Sequence, residues 1–244
     1  MNKFVYVPPD KWSEDEIELS APKAHHLQRV LRLKHESPVN VFDGKGVVVS
    51  GILLLKPKHA SLKIVSAPTR IKKPTPEITG IVALLKGERM DAVIEKCTEL
   101  GISQIIPVVT ERTVVALNQE KKTKRANKYK NIVVRASEQS ENCHLPVVQE
   151  ITTIKDALPQ LKQSTRLVFC ARKQQSSFTT FHDIKDSKDI TFLIGPEGGL
   201  TDDEITLAAS HSFIPTHLGQ RVLRADTAAI TAMSLLRYAN TIEE

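Results

Sequence analysis

The sequence has little that would fix a metal ion, a disulfide or a membrane anchor. Its three cysteines, Cys97, Cys143 and Cys170, form no CxxC pair, and its eight histidines include no HExxH spacing. A zinc site and a disulfide framework are therefore not predicted. No apolar run approaches the roughly 20 residues of a membrane-spanning helix, and the segment MNKFVYVPPD lacks the apolar stretch of a signal peptide. We expect a cytoplasmic protein with no bound metal and no membrane partner.

The charge balance favours a polyanionic partner. The chain carries 34 Lys and Arg residues against 28 Asp and Glu residues, a formal net charge of +6 at pH 7. Enzymes of small anions are often basic too, but an excess of this kind raises the expectation of nucleic acid as a partner. At 244 residues the chain is long enough for one large domain or two small ones.

Residues 1–72 have the spacing of a small antiparallel barrel. The segments VNVFDG, GVVVSGILLL and ASLKIVSA are short strand-like runs separated by few residues. Before them, SAPKAHHLQRVLRL predicts a helix that begins after Ser20. Its apolar face would contain Ala24, Leu27, Val30 and Leu31. The proline-rich segment SAPTRIKKPTPE predicts a linker and a domain boundary near residue 73.

Residues 73–244 alternate between strand and helix patterns. EITGIVALLK, ISQIIPVV, RLVFCA and ITFLIG predict buried strands, whereas RMDAVIEKCTELG, KRANKYKNIVVRASEQ and DTAAITAMSLLRYAN predict helices. The first of these helices would end at Gly101 and bury Met90, Val93, Ile94, Cys97 and Leu100. The alternation predicts an α/β fold, in which a parallel sheet is covered by helices on both faces.

A glycine-rich segment, IGPEGGL, follows the strand ITFLIG. In an open parallel sheet, ligands bind beyond the carboxyl ends of the strands, and glycine lets a ligand lie against the backbone. Thr201 and Glu204 predict a capping box that starts the next helix. A tight turn without a ligand remains the alternative. The segment is neither GxGxxG nor a Walker loop, and the charge of Glu197 opposes a phosphate site.

A second glycine-containing segment, HLGQRVLRADTAAIT, follows the short apolar run SFIPT. The spacing of Arg221 and Arg224 predicts two cations on one side of a helical turn just before Asp226. Two glycine turns at the ends of two strands would form the two walls of one pocket.

These segments resemble a known family. IGPEGGLTDDEI followed by LGQRVLRADTA resembles the paired signature of the SPOUT superfamily of S-adenosylmethionine-dependent RNA methyltransferases. More narrowly, the chain is similar to the bacterial 16S ribosomal RNA uridine-N3 methyltransferase family, whose other blocks resemble HHLQRVLRL, KGERMDAVIEKCTELGISQIIP and ASEQS.

The resemblance implies an architecture and a reaction. It implies a C-terminal knotted SPOUT methyltransferase domain over residues 73–244, with a trefoil knot, and a small N-terminal PUA-like β-barrel that binds RNA over residues 1–72. It also implies a homodimer, and methylation of N3 of a specific uridine in 16S ribosomal RNA, within the small subunit or its precursor. S-adenosylmethionine would be the methyl donor, without a metal.

The resemblance also implies site residues. Arg224 and Asp226 are the candidate catalytic residues, although Arg224 could instead form a structural ion pair, and Asp226 stands where the family usually has the longer Glu. The implied cofactor-binding residues are Leu193, Gly195, Pro196, Glu197, Gly198, Leu218, Gly219, Val222, Leu223, Arg224 and Thr227.

A basic run, KKTKRANKYK, is a candidate RNA-binding surface. A solvated helix face is the usual explanation of such a run, but lysines and arginines also neutralise RNA phosphates. The predicted RNA-binding residues are Lys121, Lys122, Lys124, Arg125, Lys128 and Lys130, with Arg29 and Arg32 of the N-terminal region. After the ASEQS block, Asn142 stands where the family has Arg, so one contact made elsewhere in the family is not expected here.

Two alternatives remain open from the sequence. One is a non-catalytic RNA-binding protein of the same fold, although a pure binder has no need of the glycines in both segments. The other is a different SPOUT methyltransferase that acts on transfer RNA or on a ribose 2′-hydroxyl, since residue spacing does not separate these chemistries.

Overall fold

The computed structural model describes residues 3–56, 59–114, 118–162, 164–170, 184 and 187–239. The chain divides into two compact units, Met1–Lys73 with Ser137–Leu145, and Pro74–Ala136 with Pro146–Glu244. The predicted boundary near residue 73 separates the first part of the two units, but the structure also includes Ser137–Leu145 in the first unit. Among the described residues, no helix has both the length and the apolar character needed to cross a membrane.

The first unit is a mixed sheet with short connections. Its strands are β1 (Lys3–Tyr6), β2 (Glu16–Leu19), β3 (Pro38–Phe42), β4 (Val47–Lys56), β5 (His59–Ile64) and β6 (Thr69–Arg70). They follow the order β1-β3-β4-β5-β2, with β6 paired to β4. Only the β1–β3 pair is parallel among these described pairings; β3, β4 and β5 form the predicted antiparallel series. Their inward side chains form one buried cluster, which includes Val5, Ile17, Val39, Leu53 and Leu62.

The helix of the first unit begins where it was predicted, but it continues as a π-helix. α1 (Ala21–His25) starts at Ser20, whose side chain accepts a hydrogen bond from the Lys23 backbone. It continues as a π-helical turn, in which the Leu31 N–H reaches the His26 carbonyl five residues back. This wider turn carries Val30 out of line with buried Leu27, so Val30 is 61% exposed. The prediction that Val30 lies on the buried face of this helix is therefore wrong.

The segment Ser137–Leu145 is bonded into the first unit. The carboxylate of Glu138 accepts hydrogen bonds from the Tyr6 N–H, at 2.8 Å, and from the Lys23 ammonium. Farther along, the Gly46 N–H donates to the Cys143 carbonyl at 3.1 Å. These contacts join the segment to β1, to α1 and to the turn before β4.

The second unit contains a parallel sheet. Its strands are β7 (Glu77–Ala83), β8 (Gln104–Val109), β9 (Val147–Val148), β10 (Thr152–Thr153), β11 (Thr165–Phe169), β12 (Asp189–Ile194) and β13 (Ile214–Thr216). The order is β10-β8-β7-β12-β11-β13, with β9 paired to β8. The remaining helices are α2 (Arg89–Glu99), α3 (Gln119–Ser140), α4 (Ile154–Ala157), α5 (Asp202–Ser210) and α6 (Ala225–Tyr238). The predicted α/β fold with a parallel sheet is confirmed.

Both faces of this sheet are covered. A buried cluster joins one face to α4 and α5 and includes Ile81, Ile106, Val168, Leu193 and Ala208. Successive side chains of a strand point to opposite faces. Buried Val82 and Phe192 therefore lie on the other face, where α6 contacts β7 and β12 and packs against α2. The strands are parallel, and residues that follow β7, β8, β11, β12 and β13 form the candidate site.

Candidate cofactor-binding site

A cavity of about 490 Å³ lies at the carboxyl edge of the parallel sheet. Its walls are two loops, the first glycine loop (residues 195–200, after β12) and the second glycine loop (residues 217–224, after β13). Its lining also includes Arg89, Arg112, Phe169, Cys170, Ile194, Asp202, Ile205, Ala225 and Ala228. The volume is within the range of small-molecule and cofactor sites, about 300–1,000 Å³.

The first glycine loop folds back tightly on itself. A Cβ at Gly195 would lie 2.9 Å from the Leu200 side chain and 3.0 Å from the Leu200 backbone nitrogen. The Gly199 N–H closes the turn on the Pro196 carbonyl at 2.8 Å. The capping box then starts α5, with the Thr201 and Glu204 side chains each accepting from the other's backbone N–H. The close turn by itself explains why residue 195 is glycine.

Glu197 directs its charge toward the start of α2. Its Oε1 accepts a hydrogen bond from the Lys86 N–H at 3.0 Å and lies 3.3 Å from an Arg89 guanidinium nitrogen. Burial alone would raise the pKa of this carboxyl, but the backbone N–H groups of Lys86 and Glu197 and the charge of Arg89 outweigh it, and the pKa is lowered. The negative charge in the loop is therefore balanced by protein groups.

The second glycine loop is open on the cavity side. Gly219 has φ +99°, and no atom lies within 4 Å of the position that its Cβ would take. A Cβ would occupy free space there, and the backbone conformation is one that L-residues rarely adopt. The His217 ring accepts a hydrogen bond from the Gly219 N–H at 3.2 Å.

The predicted helical turn that carries Arg221 and Arg224 is wrong. α6 begins only at Ala225, and Arg224 is its N-cap, with extended backbone at φ −65° and ψ 152°. The chain bends over residues 218–221 and stays irregular up to Arg224, so the two arginines are not on one helical turn. Within the described residues, the Arg224 guanidinium has neither a hydrogen-bond nor an ion-pair partner. It is exposed and lines the cavity.

The structure brings most of the predicted pocket residues to this cavity. Those that line it are Gly195, Pro196, Glu197, Gly198, Leu218, Gly219, Val222, Leu223 and Arg224. Leu193 is fully buried in the cluster beneath the sheet. Asp226 and Thr227 lie in the first turn of α6 and outside the cavity lining. One carboxylate oxygen of Asp226 is buried without a hydrogen-bond partner among the described residues.

The sequence interpretation missed several lining residues, of which Arg112 and Cys170 matter most. Cys170 directly follows β11, and Arg112 lies three residues beyond the end of β8. The rule that ligands bind at the carboxyl ends of parallel strands was applied only to the glycine segments. Applied to every strand, it would have pointed to both residues.

The basic run lies on α3, but its residues do not share one face. At about 100° per residue, Lys121, Lys124, Arg125 and Lys128 fall within about one third of the helix circumference. Lys130 lies on roughly the opposite side. Lys128 is paired with Asp91 of α2. In the first unit, Arg29 and Arg32 are exposed.

Asn142 has a local structural role. Its side-chain oxygen accepts a hydrogen bond from the His144 N–H at 3.1 Å, and its own N–H donates to the Ser137 carbonyl at 3.0 Å. The residue therefore shapes the turn that follows α3.

Comparisons with known proteins decide the family. An RNA methyltransferase domain profile matches residues 72–237. Ribosomal RNA small subunit methyltransferase E from Rickettsia conorii is 32% identical over 242 residues, 96% of this chain and 94% of that protein. The protein of the same name from Synechocystis is 34% identical over 234 residues, 93% of this chain and 75% of that protein. The chain belongs to the small subunit methyltransferase E family.

Two solved methyltransferase structures share this fold. A structure from Legionella pneumophila with the bound cofactor SAM (S-adenosylmethionine) is 31% identical, with a TM-score of 0.89 and 98% of each chain covered. Ribosomal RNA small subunit methyltransferase E from Neisseria gonorrhoeae, bound to S-adenosylmethionine, is 28% identical, with a TM-score of 0.86 and the same coverage.

Proposed function

We propose that this methyltransferase E family member methylates N3 of a specific uridine in 16S ribosomal RNA, with S-adenosylmethionine as the methyl donor. The observation that carries the proposal is the cavity between the two glycine loops, at the carboxyl edge of the parallel sheet, in a chain whose relatives bind this cofactor in a structure of the same fold.

The residues present fit the cofactor. The backbone at Gly219 is open to a ligand, since no other atom lies within 4 Å of its Cβ position, and Leu218, Val222 and Leu223 of the cavity lining can supply apolar contact for an adenosine. Val222 lines the cavity and is 76% exposed, so its side chain is free to contact a ligand there. When bound, the cofactor supplies a methyl group on a positively charged sulfur, which is open to attack by a nucleophile.

The chain's own part in the reaction is orientation and charge stabilisation. N3 of uracil must lose a weakly acidic proton, so negative charge develops on the ring oxygens. Arg224 stands at the cavity without a protein partner among the described residues, and its guanidinium can donate to those oxygens. Asp226 would orient Arg224 or accept the proton. One of its carboxylate oxygens is buried without a hydrogen-bond partner among the described residues.

We also propose the finer architecture that the family resemblance implies. Residues 73–244 would form the SPOUT methyltransferase domain with a trefoil knot at the two glycine loops, and residues 1–72 a PUA-like barrel that binds RNA. The functional form would be a homodimer. The two neighbouring loops at one sheet edge support the methyltransferase domain, and the mixed sheet of the first unit supports the barrel. The homodimer is implied by the family resemblance.

RNA would be held by basic side chains, of which Arg125 is half-buried and Lys121, Lys124, Arg29 and Arg32 are exposed. The face of α3 with Lys121, Lys124 and Arg125, together with Arg29 and Arg32, would neutralise phosphates. Lys128, Lys122 and Lys130 remain in the proposed set, although the pairing of Lys128 with Asp91 and the position of Lys130 on the other side make these two weaker candidates.

The test is the identity of the methylated nucleoside. Purified protein would be incubated with isotopically labelled S-adenosylmethionine and, in parallel, with free 16S RNA, small subunits lacking the modification, and transfer RNA. Mass spectrometry after digestion should find 3-methyluridine at one position in 16S RNA. A ribose-methylated nucleoside or methylated transfer RNA would replace the proposal with another RNA methyltransferase activity. RNA binding without any methyl transfer would indicate a non-catalytic protein.

A further inference from the structure

Arg112, which also lines the cavity, holds the first glycine loop by hydrogen bonds to its backbone. It follows β8, and one of its terminal nitrogens donates to two carbonyls of that loop, Gly198 at 3.0 Å and Leu200 at 3.3 Å. Hydrogen bonds from a charged donor are stronger than those between neutral groups. One side chain thus fixes two of the peptide groups that make a wall of the cavity.

The stem of Arg112 also explains why residue 198 is glycine. A Cβ at Gly198 would lie 3.2 Å from Arg112 Cβ and 3.4 Å from Arg112 Cδ. Positive φ is found at Gly199 and Gly219 but not at Gly198. Gly198 therefore lacks a side chain because the arginine lies against it, and not because of its backbone conformation.

The loop that carries Arg112 is itself fixed. The Thr113 hydroxyl accepts a hydrogen bond from the Thr110 N–H at 2.9 Å, which closes a turn around residue 112. Beside it, the Glu111 N–H donates to buried Glu204 at 2.8 Å, which ties the turn to α5. Arg112 therefore projects from a rigid support, so its bonds can position the glycine loop and do not simply follow it.

We propose that Arg112 is a positioning residue for methyl transfer, which presets the first glycine loop in its cofactor-binding shape. The proposal rests on the proposed function, in that the cavity is taken to bind S-adenosylmethionine. A loop held before binding loses less conformational freedom when the ligand arrives, and this raises affinity. Small displacements of a binding wall also lower the rate of a reaction that depends on alignment.

The first experiment separates the hydrogen bonds of Arg112 from its stem. Arg112→Met keeps an unbranched apolar stem and removes both bonds, and Arg135→Met is the matched control, since Arg135 is exposed on α3. Calorimetry with S-adenosylmethionine, without RNA, should show affinity weakened about tenfold in Arg112→Met, ~1.4 kcal/mol, and unchanged in the control. The melting temperature without cofactor should stay close to that of the wild type.

The second experiment tests the contact with Gly198. Gly198→Ala should weaken cofactor binding in the wild type and in Arg112→Met, because both keep a stem against residue 198. In Arg112→Gly, where the stem is absent, the same change should have little further effect. Effects that add independently in all three backgrounds would show that the two residues are not coupled and would overturn the proposal.

Two results distinguish a failure of this proposal from a failure of the proposed function. If the wild type binds S-adenosylmethionine and Arg112→Met binds it equally well, the positioning role is wrong while the cofactor assignment stands. If the wild type itself does not bind, the cofactor assignment is wrong and Arg112 has no loop to preset for it. For variants that bind, Arg112→Met should also lower the single-turnover rate at saturating cofactor and RNA, whereas a purely structural role would change only the melting temperature.

Discussion

Arg224 is the side chain on which the proposed chemistry depends most. Its charge would do little for neutral uracil and much more as N3 loses its proton, so it should act in the transition state. Removing such a donor costs about 10²–10³ in rate, by analogy with oxyanion-stabilising groups. Arg224→Ala should therefore slow single-turnover methylation far more than it weakens cofactor or RNA binding. Arg224→Lys should recover little, since a point charge does not replace a planar fork of donors.

The control for Arg224 is its neighbour in the same loop. Arg221 also lines the cavity, so Arg221→Ala removes one charge without removing the proposed donor. Equal rate losses in the two variants would mean that only net charge matters. A loss in Arg224→Ala that follows a lower melting temperature would make the residue structural.

Cys170 provides a reporter of cavity occupation. Cys97 and Cys143 are buried, whereas Cys170 is half-exposed and lines the cavity. Iodoacetamide should therefore modify Cys170 first, and saturating S-adenosylmethionine should slow that modification. Burial raises the pKa of this thiol, so the labelling rate should still be rising at a pH where an ordinary thiol has reached its plateau. Cys170→Ser should remove the fast phase of labelling. A labelling rate that S-adenosylmethionine leaves unchanged would mean that the cofactor binds elsewhere.

Glu197 should make loop stability depend on acidity. Because its pKa in the folded chain is lowered from the ordinary 4.5, the ionised carboxylate stabilises the fold above that ordinary value. This contribution is lost as the pH falls through the lowered pKa. The melting temperature of the wild type should exceed that of Glu197→Gln by a constant amount between pH 7 and about pH 5.5, and the difference should shrink in more acidic buffer. A difference that grows with acidity would contradict this.

Single residues also show what sequence patterns can and cannot give. The glycines at 195, 198 and 219 were recognisable as a group, but each has a different cause: a backfolded turn, the Arg112 stem, and open space at positive φ. Arg112 and Gly198 lie far apart in the chain, and no local spacing records that they touch.

At the scale of elements, α3 offers an internally controlled test of RNA binding. Lys124 and Lys130 are both exposed but lie on different sides of the helix. Lys124→Ala should weaken RNA binding and lower the slope of log affinity against log salt by about 0.7–0.9, the contribution of one neutralised phosphate. Lys130→Ala should leave the slope unchanged. Equal slopes in both variants and in the wild type would mean that the basic run is a solvated helix face and does not contact RNA phosphates.

Elements with a local cause were predicted well. The capping box of Thr201 and Glu204, the Ser20 cap and the buried face of α2 with Met90, Val93 and Ile94 all depend on residues within one or two turns. The π-helical turn after α1 and the extended backbone at Arg224 were missed. A fixed 3.6-residue period describes neither a π-helical turn nor an extended N-cap.

At the scale of the whole molecule, the alternation of strand and helix patterns was enough to predict the parallel α/β sheet. It did not predict which residues belong to each unit. The first unit ends near the predicted linker and then takes in Ser137–Leu145. The helix pattern of α3 runs into this segment without a break, since Glu138 is as suitable for a helix surface as for its bonds to Tyr6 and Lys23. Only the long-range contacts distinguish the two roles.

This shared segment has a consequence for the order of events during synthesis. The N-terminal strands leave the ribosome early, yet the carboxylate that bonds Tyr6 and the backbone that pairs with Gly46 arrive only when residue 145 has been made. At about 5–20 residues per second, the first unit waits several seconds for its last piece, with the start of the methyltransferase sheet emerging meanwhile. Ribosome-bound chains stalled before this point should therefore be cut by protease within residues 1–73, and chains released after it should resist.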